Sequence, residues 1–148
     1  MSTLKDIVCS PENRDQVIAD TVKLVDSEVA KKGGISGIAI KTAYKVVKSL
    51  KPTLVQDAVN NLLEKFVDKL EPFYSEWVAK NKSPGFDAFL NGQSSSVANA
   101  LLAVTDDRAR RVDNATVKKT YEKLRPQGEK NVIAAVPGLG QLLAKYVK

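Results

Sequence analysis

The sequence contains no histidine and a single cysteine, Cys9. These absences exclude internal disulfides, zinc sites built on imidazole or paired thiolates, and the Ser-His and Cys-His dyads used by many hydrolases. No apolar run approaches the roughly 20 residues that cross a bilayer. We therefore expect no metal and no cofactor. A non-enzymatic protein is favoured, and the alternative is an enzyme that acts through lysine, tyrosine and carboxylates alone.

The N-terminal segment MSTLKDIVCSPENRDQ lacks both the apolar core of a secretory signal and the Arg-rich pattern of a transit peptide. We therefore expect a cytoplasmic location. The 148 residues are close to the commonest size of one domain, and no long linker or repeat divides them. The sequence predicts one helical domain over residues 1–148.

Positive charge is concentrated in one part of the chain. The net charge is +6, and residues 29–56 contain six lysines but no aspartate or glutamate. This segment is the most basic stretch of the sequence and is the first place to look for a partner with negative charge.

Apolar residues recur at helical spacing almost throughout, and no sustained alternation indicates strands. The spacing predicts an all-α, compact bundle of six to eight helices. Ser10 and Pro11 are expected to start the first long helix, and Gly33-Gly34 to end it. The segments RPQG and Pro137-Gly138 are expected to interrupt the C-terminal helices.

A long helix is predicted in the middle of the chain. Its apolar positions are separated by three or four residues and return to one line every eleven: Val55, Val59, Leu62, Phe66, Leu70, Phe73 and Trp77. This line is expected to form the central seam of the bundle, with Trp77 buried. The register continues through Pro72, which favours one kinked helix over two separate helices.

The stretch KKGGISGIAIKT resembles a phosphate-binding loop only superficially. A Walker loop needs its lysine directly after the second glycine, whereas Lys41 lies four residues beyond Gly37. The favoured interpretation is a helix end at Gly33-Gly34 followed by a new helix with Ser36 as its N-cap.

The predicted helix from Ser36 to Lys51 is amphipathic. On a helical wheel its apolar arc contains Ile35, Ala39, Ala43, Val46, Val47 and Leu50, and we assign this arc to the core. The lysines at 41, 45 and 48 then face solvent. On this assignment Val46→Asp unfolds the domain, whereas reversing the three lysine charges does not.

The lysine face has two interpretations, a solvated surface or a docking surface for an anionic macromolecule such as nucleic acid or an acidic protein. The candidate residues are Lys31, Lys32, Lys41, Tyr44, Lys45, Lys48 and Lys51, with Arg108 as a further contributor. A membrane is not expected as the partner, because the apolar arc is assigned to the core. Arg108 projects onto an apolar face, which favours a structural ion-pair clamp over an anion site.

A small apolar-ligand carrier is the alternative function. Its cavity would lie between the aromatic cluster and the C-terminal helix, and the candidate residues are Phe66, Phe73, Trp77, Leu139 and Leu143. Gly138 and Gly140 would let the backbone approach the guest. Such an aromatic cluster is more often part of the core than the wall of a pocket.

Four stretches carry a resemblance that extends over the whole chain: SGIAIKTAYKVVK, LEPFYSEW, ALLAVTDDRAR and YEKLRP. They resemble a small family of uncharacterised bacterial proteins of similar length, many of them actinobacterial. The resemblance implies a bacterial cytosolic protein and assigns no activity, substrate or catalytic residue.

Overall fold

A computed structural model describes residues 3–147, apart from the side chains of Ile35, Ser36 and Val47. Within that range the chain forms seven helices and no strand, which confirms the predicted all-α class. The helices are α1 (Leu4–Val8), α2 (Arg14–Lys31), α3 (Gly34–Leu50), α4 (Leu54–Ala79), α5 (Phe86–Asn91), α6 (Ser94–Arg111) and α7 (Ala115–Ala144).

The short helix α1 is not among the helices predicted from the sequence. Thr3 caps it with a reciprocal pair of hydrogen bonds to Asp6. The Glu71 carboxylate of α4 accepts the backbone N–H groups of Leu4 at 3.1 Å and Lys5 at 2.9 Å. These contacts place Leu4 and Val8 in the core.

The predicted start of the first long helix is three residues too early. The Ser10 hydroxyl accepts the backbone N–H of Asn13, so Ser10 caps a single turn. The regular helix α2 begins only at Arg14.

Helix α4 provides the central seam, and Trp77 is buried as predicted, with 4% of its surface exposed. The buried positions of α4 are Leu63, Val67, Leu70, Tyr74 and Trp77. These positions repeat every seven residues, whereas the predicted line repeats every eleven. Leu70 and Trp77 belong to both sets. Phe66 and Phe73 of the predicted line are only half-buried, and Val67 and Tyr74 are buried in their place. The helix runs without a break through Pro72. A bend at Pro72 stays a prediction.

The predicted breaks in the C-terminal region are wrong, because α7 is one helix of 30 residues with Pro126 and Pro137 inside it. Each proline removes only one backbone hydrogen bond from the helix. The helix packs against α2, α5 and α6 and buries Val136, Leu142 and Leu143. This burial offsets the local cost of the prolines.

All helices except α3 contribute buried apolar side chains to one core. Over residues 3–147, no side chain described for α3 belongs to it. Helix α3 packs from outside on α2 and α4. It is therefore the peripheral helix of the bundle.

Candidate functional site

A tyrosine holds α3 against α2. The Tyr44 side chain is half-buried, and its hydroxyl donates a hydrogen bond to the Asp26 carboxylate. Burial and this hydrogen bond raise the pKa of Tyr44 to about 12. The Lys48 ammonium lies 3.4 Å from Asp26 and 5.3 Å from the centroid of the Tyr44 ring. Tyr44 therefore anchors the helix, although the sequence analysis placed it on a partner-binding surface.

The face of α3 that was assigned to the core lies in solvent instead. Val46 is 52% exposed and Leu50 is 80% exposed. The predicted assignment is therefore wrong for these residues and for exposed Ala39 and Ala43. The side chains of the remaining two members, Ile35 and Val47, lie outside the described residues.

Local packing explains the orientation of α3. A Cβ added to Gly37 would lie 2.6 Å from the Lys32 carbonyl carbon, so Gly37 permits a tight approach at the start of the helix. The helix begins at Gly34, two residues before the predicted N-cap Ser36, whose side chain lies outside the described residues. Gly37 and Tyr44 are on the same side of the helix, and that side faces α2.

The exposed apolar residues lie on the outward-facing side of α3, where exposed Thr42 and Ser49 separate Ile38 from the others, and we call them the α3 apolar row. It consists of Ile38, Ala39, Ala43, Val46 and Leu50. Ile38 is 67% exposed. Lys41 and Lys45 are also exposed and flank the row on the side of Ile38.

Ion pairs divide the six lysines of residues 29–56 into two groups. Three are paired with acids: Lys31 with Glu28 of the same helix at 3.0 Å, Lys48 with Asp26 of α2 at 3.4 Å, and Lys51 with Asp57 of α4 at 2.9 Å. Within residues 3–147, no ion pair is formed by Lys32, Lys41 or Lys45. Of these three, Lys41 and Lys45 lie on the flank of the α3 apolar row, and Lys32 lies between α2 and α3.

Arg108 is not the buried clamp that the sequence predicts, because its side chain is exposed on α6. Arg125 has that role. Its guanidinium donates to both oxygens of Asp106, at 2.8 and 3.1 Å, and Tyr121 donates to the same carboxylate. The hydrogen bond from Arg125 lowers the pKa of Asp106 and offsets the opposing effect of its burial.

The Arg125 clamp borders an open cleft of about 720 Å³ between α6 and α7. Arg110 and Lys118 line this cleft together with Glu122, so charges of both signs are present. The sequence signal for the clamp was the i, i+4 pair Tyr121 and Arg125, which lie on one helix face. Tyr121 and Arg125 both donate their hydrogen bonds to Asp106, which supports a structural role for these side chains.

The aromatic cluster is part of the core. Trp77 donates its indole N–H to the Pro84 carbonyl at 2.7 Å, and its ring lies 4.8 Å from that of Phe86. Among the candidate ligand residues, Phe66, Leu139 and Leu143 do line an apolar cavity of about 260 Å³, whereas Phe73 and Trp77 do not. Trp77 instead lines a separate surface pocket of about 270 Å³.

Gly138 and Gly140 do not face this cavity. A Cβ at Gly138 would meet the Leu24 side chain, and a Cβ at Gly140 would meet the backbone of Asp87. The two glycines therefore serve helix packing, and the predicted approach to a guest is wrong.

Comparison with known proteins gives a family. Residues 4–147 match a protein-family model described as a family of unknown function (DUF6918). The chain belongs to the DUF6918 family. Neither the curated proteins nor the solved structures contain a match to it. The family agrees with the resemblance to uncharacterised proteins, whereas a bacterial origin stays a prediction.

In this DUF6918 chain, the four stretches that carried the resemblance do not gather at one site. SGIAIKTAYKVVK lies in α3, and LEPFYSEW lies near the end of α4. The other two, ALLAVTDDRAR and YEKLRP, meet where Asp106 binds Arg125. None of the helices in residues 3–147 combines the length and apolar character needed to span a bilayer.

Proposed function

We propose that this chain is a non-enzymatic interaction protein that docks on an anionic lipid surface through α3. The observation that carries the proposal is the α3 apolar row, which is exposed on a folded bundle and bordered by Lys41 and Lys45. Helices that lie in a lipid interface have this composition, with an apolar face in the acyl boundary and lysines at the headgroups.

Two other partners, a nucleic acid and a second copy of the chain, fit this surface less well. A nucleic acid would satisfy the lysines, but its phosphates would leave Ile38, Val46 and Leu50 without an apolar partner. A second copy of the chain placed on this surface would bring Lys41 and Lys45 of both copies close together, and like charges oppose that contact. A lipid surface supplies both negative headgroups and an apolar interior.

The exposure of Val46 and Leu50 also removes the reason for not expecting a membrane. That expectation depended on an apolar arc buried in the core, so that insertion would require α3 to leave the bundle. Because the row is already exposed, docking does not require α3 to detach from α2 and α4.

The expected affinity is modest. Full burial of an Ile, Val or Leu side chain contributes about 1.5 to 3 kcal/mol, so the exposed parts of three such side chains contribute roughly 3 to 6 kcal/mol. Each lysine near an anionic surface adds about 1 kcal/mol. A total of roughly 5 to 8 kcal/mol corresponds to dissociation constants from hundreds of micromolar to about one micromolar. Docking of this strength is reversible.

The test is cosedimentation with vesicles of phosphatidylcholine alone and with vesicles that also contain phosphatidylglycerol, an anionic lipid that attracts lysines. We expect binding to the anionic vesicles that weakens as salt is raised. Val46→Asp should abolish binding while the protein stays folded, because Val46 is exposed. This outcome is opposite to the one expected from the sequence alone.

Matched controls are available on α7. Leu124 is 59% exposed, so Leu124→Asp makes the same chemical change on another face. Lys119→Glu/Lys123→Glu, an exposed pair with the same spacing, is the control for the double variant Lys41→Glu/Lys45→Glu. Lys48 is left unchanged because its reversal would place a carboxylate beside Asp26. The proposal is wrong if wild-type protein ignores anionic vesicles, or if Leu124→Asp reduces binding as much as Val46→Asp.

A further inference from the structure

The apolar cavity of about 260 Å³ lies between the helices of the bundle and is partly open to solvent, since nine of its 17 lining residues are only half-buried. Side chains of α1, α2, α4, α6 and α7 line it, and α3 contributes none of the lining side chains that the structure describes. The cavity is therefore separate from the α3 apolar row and from the cleft beside Arg125. Close-packed protein interiors contain few voids larger than a water molecule, so a cavity of this size needs an explanation.

The lining offers few hydrogen-bond partners to water. Thr21 is the single lining residue with a polar side chain within residues 3–147, and its hydroxyl donates to the Val17 carbonyl at 2.7 Å. A buried water needs two to four polar partners, which one hydroxyl already engaged in a hydrogen bond does not supply. The lining therefore favours an apolar occupant over water.

We infer that this cavity is a binding site for one small, uncharged, apolar molecule of aromatic or branched aliphatic type. A dry cavity of about 150 Å³ in another protein binds benzene, and the cavity here is larger. No charged side chain lines it, so a charged or strongly polar group on the guest would be buried without a partner. This selects against nucleotides and sugars, whose polar groups are distributed over the whole molecule.

Benzene is the first probe, and thermal unfolding is the readout. At about ten times its dissociation constant, benzene should raise the melting temperature by about 3 to 6 °C, because it binds the folded state only. Trp77 does not line the cavity, so its fluorescence is not a suitable reporter.

Adjacent alanines on α7 provide a matched pair of variants. Ala135 lines the cavity, whereas Ala134 is exposed. Ala135→Leu should fill the cavity, raise the melting temperature without benzene and remove the benzene response. Ala134→Leu should keep the full response.

A second variant covers the case in which Ala135→Leu does not fold. Leu139→Ala enlarges the cavity, so this protein should respond to naphthalene at least as strongly as wild type responds to benzene. The inference is overturned if benzene does not stabilise wild-type protein, or if folded Ala135→Leu keeps the response. The benzene site is separate from the proposed lipid-docking surface, since Val46 does not line the cavity. Val46→Asp should therefore leave the benzene response unchanged.

Discussion

At the scale of single residues, α7 contains three glycines in different surroundings. A Cβ at Gly140 would lie 2.9 Å from the Asp87 Cα atom, which is backbone of α5 and cannot move away locally. A Cβ at Gly138 would lie 2.6 Å from the Leu24 Cδ1 atom, the end of a flexible side chain. Nothing lies within 4 Å of a Cβ at Gly128. An added methyl group would therefore contact backbone at Gly140, a side chain at Gly138 and no other group at Gly128.

We predict that alanine at these positions changes stability in a fixed order. Gly140→Ala should lower the free energy of unfolding by about 1 to 3 kcal/mol, because α5 must shift away from α7. Gly128→Ala should raise it by about 0.5 to 1 kcal/mol, because glycine disfavours a helix interior. Gly138→Ala should fall between them. Urea unfolding measures all three, and a Gly140→Ala protein as stable as Gly128→Ala would contradict the packing.

Residues whose roles depend on distant partners could not be predicted from the sequence. Glu71 caps α1 from 67 positions away, and Asp26 binds Tyr44 on the next helix. Arg108 and Arg125 both project from helices with apolar neighbours, and only the arrangement of α6 and α7 decides which one meets Asp106. Residue type and spacing do not contain that information.

At the scale of helices, spacing predicted the all-α class and the burial of Trp77, because these depend on local periodicity. The orientation of α3 was not predictable in the same way. One side of α3 carries Val46 and Leu50, and the other carries Ile40 and Tyr44, so two apolar arcs compete for the bundle. The hydrogen bond of Tyr44 to Asp26 favours the second arc, and the candidate site follows from that choice.

Pro126 gives a prediction at this scale because it is exposed in the interior of a continuous helix. Pro126→Ala should stabilise the protein by about 1 to 3 kcal/mol, since alanine restores a backbone N–H and the helical preference that proline lacks. Pro52→Ala is the control, because Pro52 lies between α3 and α4 and its replacement should have little effect or a small destabilising one. If Pro126→Ala is less stable than wild type, the packing of the Pro126 ring stabilises the fold by more than its missing backbone hydrogen bond destabilises it.

At the scale of the whole molecule, contacts between distant segments close the bundle. Lys145 and Tyr146, just after α7, both reach Asp20 of α2. Arg14 at the start of α2 binds Glu64 of α4. The C-terminal segment is thereby attached to the helix that also supports α3, and the Asp20 contacts depend on protonation.

The Asp20 contacts predict how stability changes with pH. Burial opposes ionisation of Asp20, but hydrogen bonds from Tyr146 at 2.6 Å, Lys145 and Gln16 lower its pKa from 3.8 to about 2. This stabilisation should be complete above pH 3.8 and lost as the pH falls towards 2. Burial and the same hydrogen bond raise the pKa of Tyr146 from 10.0 to about 12.

The contribution of Tyr146 has the opposite dependence on pH, because its neutral form is the one that the fold favours. It should be complete below pH 10 and lost as the pH rises towards 12. We predict that Tyr146→Phe is less stable than wild type at pH 7 and loses less further stability on going to either extreme. Urea unfolding at pH 2, 4, 7, 10 and 12 measures this. Tyr44→Phe is the comparator for the alkaline range, since the pKa of Tyr44 is also raised to about 12. Equal pH profiles for wild type and Tyr146→Phe would show that the hydrogen bond between Tyr146 and Asp20 does not stabilise the fold.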